Sequence, residues 1–131
     1  MKPLKIGERT SHSFKVTEKD LATFADGNVH QVCSTFTIAR EVEWCTRKFV
    51  LAHKDLDEEG VGTKLNIDHV SPAMLNTIVE IDARVIELRN SELICSFEAR
   101  VGERIIAKGI TGQKVLKKSR IKEIFSKFDE G

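Results

Sequence analysis

From Thr35 to Lys54 the chain carries neither glycine nor proline, and its apolar residues recur at helical spacing. Ile38, Val42, Cys45, Phe49 and Ala52 fall at i, i+4, i+7, i+11 and i+14, a single stripe with Arg40, Arg47 and Lys54 on the opposite side. The spacing predicts one long amphipathic helix, closed by a loop at Glu59-Gly60. Ahead of it, Ser11 to Val16 alternates weakly and reads as a first strand. Thr17, with Asp20 three residues on, opens a short segment to Phe24 that is expected to be helical, and Ala25-Asp26-Gly27-Asn28 is a turn signal that ends it. Beyond the long helix the period becomes two. Thr63, Leu65, Ile67 and His69 form one alternating run; Val79, Ile81, Ala83 and Val85 form the next. Leu93, Cys95, Phe97, Ala99 and Val101 form a third, with Ile94 the exception. Each predicts a half-buried strand with one wet face. Arg89-Asn90 and Gly102 stand where hairpin turns are needed. A last strand is expected from about Arg104 to Leu116, and Ile121, Ile124, Phe125 and Phe128 predict a short terminal helix.

A strand, one long helix and four antiparallel strands make an α+β chain in which the sheet wraps the helix and buries Ile38, Val42, Cys45 and Phe49. That arrangement is the hot-dog fold, and at 131 residues it is expected to fill the chain, residues 1–131, as one domain. A single small sheet has free edges. Pairing two copies edge to edge removes one from each, so a homodimer is expected, open to further pairing into a tetramer.

Charge and composition exclude several classes. Lysine and arginine number 21 against 20 for aspartate and glutamate, a net charge of +1 with no block of one sign, which points away from nucleic acid. No apolar run approaches the roughly 20 residues of a membrane span, and the basic start Met1-Lys2-Pro3-Leu4-Lys5 lacks the apolar core of a signal peptide. Three cysteines (Cys33, Cys45, Cys95) without a CxxC pair fit neither a disulfide scaffold nor a zinc site, and a reducing, cytoplasmic location is expected. No two histidines have metal-ligand spacing, and no glycine-rich phosphate loop, GxSxG elbow or dinucleotide fingerprint occurs, so neither metal nor cofactor is expected.

The residues that remain able to do chemistry are few. Glu43 leaves the main apolar stripe and sits between an apolar flank (Phe36, Val50) and the basic face. Partial desolvation there would raise its pKa, whereas a pair with Arg47 at i+4 would make it an ordinary solvated glutamate. His69 shares the apolar face of its strand with Leu65 and Ile67 and is expected to point to the interior or to an interface, either as a core histidine or as a working one. Thr35 opens the helix as a candidate N-cap, a role Ser34 fills equally well. If Thr35 is itself helical, eight residues at 1.5 Å each set it about 12 Å from Glu43. The two then share a site only through a partner subunit. Gly62 is expected at the start of the strand ending in His69, as a loop exit or as a place where a ligand approaches the backbone. Lys117, Lys118 and Arg120 form a basic cluster suited to a solvated face or to nucleotide phosphates.

Val32-Cys33-Ser34-Thr35, Glu43-Trp44-Cys45, Gly62-Thr63 and Ile67-Asp68-His69 together resemble the hot-dog thioesterases of the fluoroacetyl-CoA thioesterase family, with no gap between threonine, glutamate and histidine. In layout the resemblance runs from about Ile6 to Leu116. It implies a catalytic triad of Thr35, Glu43 and His69, substrate binding by Gly62, and hydrolysis of an acyl-CoA thioester without metal or redox cofactor. The chain departs from the family pattern in two places. Gln113, with Lys114 beside it, stands where the family has an arginine in the last strand, and Asp26 and Val29 stand where it has lid phenylalanines. A short or medium acyl chain is therefore expected rather than a fluorinated one. The alternative is a non-catalytic acyl-CoA-binding hot-dog module, favoured by Gln113 and disfavoured by the presence of all three triad residues. A hydratase acting on enoyl-CoA would need Asp26 and His30 as its acid–base pair and would leave Glu43 without a role.

Overall fold

The structure is a computed structural model that describes residues 1–24 and 27–129, with the backbone alone for residues 24 and 27–29. Strand β1 (Arg9–Lys15) leads to a 3-10 turn (Glu18–Asp20), the hairpin β2 (Leu21–Phe24) and β3 (Gly27–Cys33), and the helix α1 (Thr35–His53). Strands β4 (Glu58–His69), β5 (Ile78–Arg89), β6 (Glu92–Val101) and β7 (Arg104–Lys117) follow, then the short helix α2 (Lys118–Ser126). Five strands form one antiparallel sheet in the order β1-β5-β6-β7-β4, and β2 and β3 pair separately.

The sheet curls around α1. Ile38, Val42 and Cys45 are fully buried and Phe49 nearly so, against Val79, Ile81, Val85, Leu93, Cys95 and Phe97 from the inward face of β5 and β6. Side chains of period 3.6 on the helix thus meet side chains of period 2 on the strands, as both patterns require. Hairpin turns fall at Asn90-Ser91, both with positive φ, and at Gly102 (φ +61). The helical stripe ends one turn early, at Phe49 and Val50, and Ala52 is exposed.

Three sequence expectations are corrected. The segment after Thr17 is helical only through Asp20, because the Asp20 carboxylate accepts from both the N–H and the hydroxyl of Thr17 (2.8 and 2.9 Å) and completes its capping within a single turn. Leu21 to Phe24 then extend as β2, with Leu21 paired to Cys33. Strand β4 begins at Glu58, so Glu59-Gly60 is strand rather than loop and Gly62 lies inside the strand. The strand passes close beneath α1 there: a Cβ on Gly60 would stand 3.0 Å from Val50 Cγ1.

Gly109 of β7 holds the ladder to β4 together. A Cβ added there would lie 1.9 Å from the backbone oxygen of Asn66, across the pairing of Ile67 with Gly109. Gly109→Ala is expected to force the two strands apart and to cost about 3 kcal/mol or more of stability, as overpacking against backbone does. A thermal melt of the variant that matches the parent would show that β4 yields without loss.

Candidate active site

The start of α1 is pinned from several directions. Ser34 is the N-cap and accepts from the Thr37 N–H at 3.0 Å, so Thr35 is the first helical residue and not the cap. The Ser34 N–H donates to the Asp20 carbonyl at 2.8 Å, and Arg40 lies 3.5 Å from the buried Asp20 carboxylate. Held in this way, Thr35 Oγ1 stands 2.8 Å from Nδ1 of His69, the last residue of β4. The other ring nitrogen, Nε2, is buried and has no hydrogen-bond partner among the described residues. A buried ring nitrogen of this kind costs free energy unless something arrives to bond it.

Glu43 is apart from this pair. With Thr35 helical, about 12 Å of helix separates the two residues, well beyond hydrogen-bond reach within one chain. Glu43 lines a cavity of about 610 Å³ between α1 and the β4–β7 ladder, with Trp44 beside it and Gly62, Leu65, Thr111 and Gln113 across from it. Its carboxylate is exposed, so a single chain does not supply the desolvation its border position suggested. The pair with Arg47 does not form either: Arg47 reaches Glu59 at 2.9 Å, and among the described residues the Glu43 carboxylate has no ion pair or hydrogen bond.

Gly62 faces the same cavity, register-paired with Gln113, and a Cβ added to it would meet nothing within 4 Å. Folding therefore does not need glycine at this position. Gly62→Ala is expected to leave the unfolding midpoint unchanged and, with a ligand approaching the strand backbone there, to lower kcat/KM on acyl-CoA by roughly tenfold or more. Equal kcat/KM in the two proteins would remove Gly62 from the site. Gln113 is buried, with its amide nitrogen 3.5 Å from Thr46 Oγ1.

In one chain the five sequence-predicted residues thus form two groups, Thr35–His69 and Glu43–Gly62–Gln113. Sequence reading missed Asp20, which anchors the helix start, and Thr46 and Thr111, which line the cavity. The available signal was a polar residue in register with apolar neighbours. Asp26 lies outside the described residues, and His30 is exposed on β3. Cys33, two residues from Thr35, is buried with its thiol directed to the Ser34 carbonyl at 3.6 Å, and burial pushes its pKa up to about 12. It is a packing thiol, not a nucleophile. In the basic cluster, Lys117 pairs with Asp57 at 2.9 Å and Arg120 with Glu123 at 3.2 Å. Among the described residues no helix is long and apolar enough to cross a membrane, and no three metal-binding side chains are gathered.

A thioesterase superfamily member from Thermus thermophilus has a similar structure, with a TM-score of 0.93 at 26% identity over 99% of this chain and 96% of that one. The fluoroacetyl-CoA thioesterase structure superposes with a TM-score of 0.86 at 17% identity, over 95% of this chain and 97% of that one. A hot-dog-like protein from Thermanaerovibrio acidaminovorans gives 0.87 at 16% identity, over 96% and 93%. No curated protein sequence matches the chain. The sequence profile of the fluoroacetyl-CoA-specific thioesterase family matches residues 16–119, nearly all of the helix and sheet that build both halves of the site, and the chain belongs to that family.

Proposed function

We propose that this protein is an acyl-CoA thioesterase that works as a homodimer of one hot-dog domain per chain, in the cytoplasm and without metal or cofactor. The observation that carries the reading is the Thr35–His69 hydrogen bond at the helix N-terminus, with the second ring nitrogen of His69 buried and unpartnered among the described residues. Family membership supports the chemistry, and a variant of fluoroacetyl-CoA thioesterase is known in complex with fluoroacetate and CoA.

The division of the site into two groups supports the dimer. Strand β4 is a 12-residue edge, bonded on one side only, to β7. Trp44, Leu65 and Val70 on and near it are 40–56% exposed. A two-fold contact runs two β4 edges antiparallel. Such a contact carries the His69 end of one β4 towards the Gly62 end of the other, and so brings the Thr35–His69 pair towards the cavity that holds the partner's Glu43.

In the mechanism, the unbonded first-turn N–H groups of α1 polarise the thioester carbonyl. Glu43 adds to the carbonyl carbon, or takes the proton of a water that adds there. The tetrahedral adduct collapses with cleavage of the C–S bond, and His69, oriented by Thr35, protonates the departing thiolate. In the direct route water then hydrolyses the acyl–Glu43 anhydride, so both routes give the free acid and CoA.

Thiol release from a panel of acyl-CoAs, short to long, straight and aryl, tests the function. Turnover of at least one member is expected. Binding without turnover across the panel would replace the enzyme with a non-catalytic acyl-CoA-binding module, the reading that the neutral Gln113 favours.

A further inference from the structure

We propose that the floor of the Glu43 cavity selects an acyl chain bearing a neutral hydrogen-bonding group, a hydroxyl or a ketone, a few bonds beyond the thioester carbonyl. This rests on the thioesterase reading and adds a substrate class to it. Elsewhere the sheet presents an apolar face to α1: Val79, Ile81, Ala83, Val85, Leu93, Phe97 and Ala99 are all buried. At the cavity that face changes character. Thr111 and Gln113 on β7 and Thr46 on α1 are 2%, 7% and 1% exposed, three buried polar side chains at one place.

Their hydrogen-bonding capacity is not used up within the chain. Among the described residues Thr111 Oγ1 is buried without an oxygen or nitrogen partner. Its neighbour across the ladder is the Cys95 thiol, a poor acceptor whose pKa burial pushes up to about 12 and the facing Thr111 hydroxyl lowers in part. That weak contact leaves the hydroxyl's bonding capacity largely unspent. Thr46 gives its proton to the helix carbonyls of Val42 and Glu43 at 3.4 and 3.3 Å, which leaves its oxygen as an acceptor for Gln113 at a long 3.5 Å. Valine has the shape of threonine and would fill position 111 with no unbonded hydroxyl, so a buried orphan there costs stability that an occupant can return.

The floor carries no charge. Arg40, Glu43, Arg47 and Lys64 lie at the exposed or half-exposed mouth. A carboxylate at the end of the acyl chain would be buried without a counter-ion, which disfavours dicarboxylic acyl groups. Depth sets the position of the polar group. Thr46 is three residues from Glu43, about 4.5 Å further along the axis, so the floor lies one helical turn beyond the carboxylate that meets the carbonyl.

The test compares 3-hydroxybutyryl-CoA with butyryl-CoA, esters that differ by one oxygen. Wild type is expected to favour the hydroxy ester by at least about tenfold in kcat/KM, because a site built around a hydroxyl discriminates against the ester that lacks it. Thr111→Val should bring the ratio near one, and Thr111→Ser, which keeps the hydroxyl, should retain it. A wild-type ratio of one or less, or a ratio that Thr111→Val does not change, overturns the inference. Calorimetric binding of both esters to Glu43→Gln protein reads the same preference without turnover, with the hydroxy ester expected to bind more tightly. Equal turnover of the two esters overturns the floor's role and keeps the thioesterase. Preferential binding of the hydroxy ester with no wild-type turnover of either overturns the thioesterase and keeps the floor's preference.

Discussion

Glu43→Gln is expected to lower turnover of the best acyl-CoA by about a hundred- to ten-thousandfold, the range over which a positioned carboxylate acts as general base or nucleophile. Three features separate this loss from damage to the fold. The side chain is exposed, its carboxylate has no ion pair or hydrogen bond among the described residues, and its neighbour Arg47 is engaged by Glu59. Glutamine has nearly the same shape and helix propensity, so the unfolding midpoint should stay within about 2 °C, as for other surface substitutions. Binding of acyl-CoA should persist, because the rest of the cavity is unchanged. Turnover close to that of the parent, in a protein with the same midpoint, would remove Glu43 from the chemistry and leave Thr35 and His69 as an unassisted pair.

The parts of the fold that were legible in the sequence are those in which a long element keeps one period. The buried stripe of α1 from Ile38 to Phe49 and the inward residues Val79 to Val85 of β5 and Cys95 to Ala99 of β6 keep their spacing, because helix and sheet pack against each other there. The β2–β3 hairpin was not legible. Its strands are short and irregularly registered, and the Thr17–Asp20 spacing that suggests a helix is satisfied by a single 3-10 turn. The start of β4 was hidden for another reason: Glu58 to Val61 are all half-buried, so no alternation marks them as strand. At the site, the residue types of Thr35, Glu43 and His69 were readable but their division was not. That division depends on whether Ser34 or Thr35 caps α1. Both hydroxyls are competent caps; Ser34 accepts from the Thr37 N–H, and Thr35 is left free to meet His69. Gln113 stood out only through the family resemblance, and Thr111, in the period-two register of β7, looked like an ordinary strand residue until the cavity above it was visible.

The second large effect concerns which chain supplies which group. If Thr35 and His69 of one subunit act with Glu43 of the other, His69→Asn and Glu43→Gln homodimers are each inactive, with both sites damaged. A heterodimer of the two variants is different. One of its sites carries both substitutions, and the other draws an intact Thr35–His69 pair from the Glu43→Gln chain and an intact Glu43 from the His69→Asn chain. Co-expression with two different tags and purification through both yields this species alone, and its expected activity is about half that of wild type, one site in two. If all three residues act within one chain, every site in the heterodimer carries a substitution and the activity stays at the level of the inactive parents. The expectation of complementation follows from helix geometry: Thr35 is helical, about 12 Å of α1 separates it from Glu43, and no rotamer of either side chain spans that distance. Restored activity would show that the catalytic site is shared between subunits, since neither chain alone then holds a complete set of reacting groups.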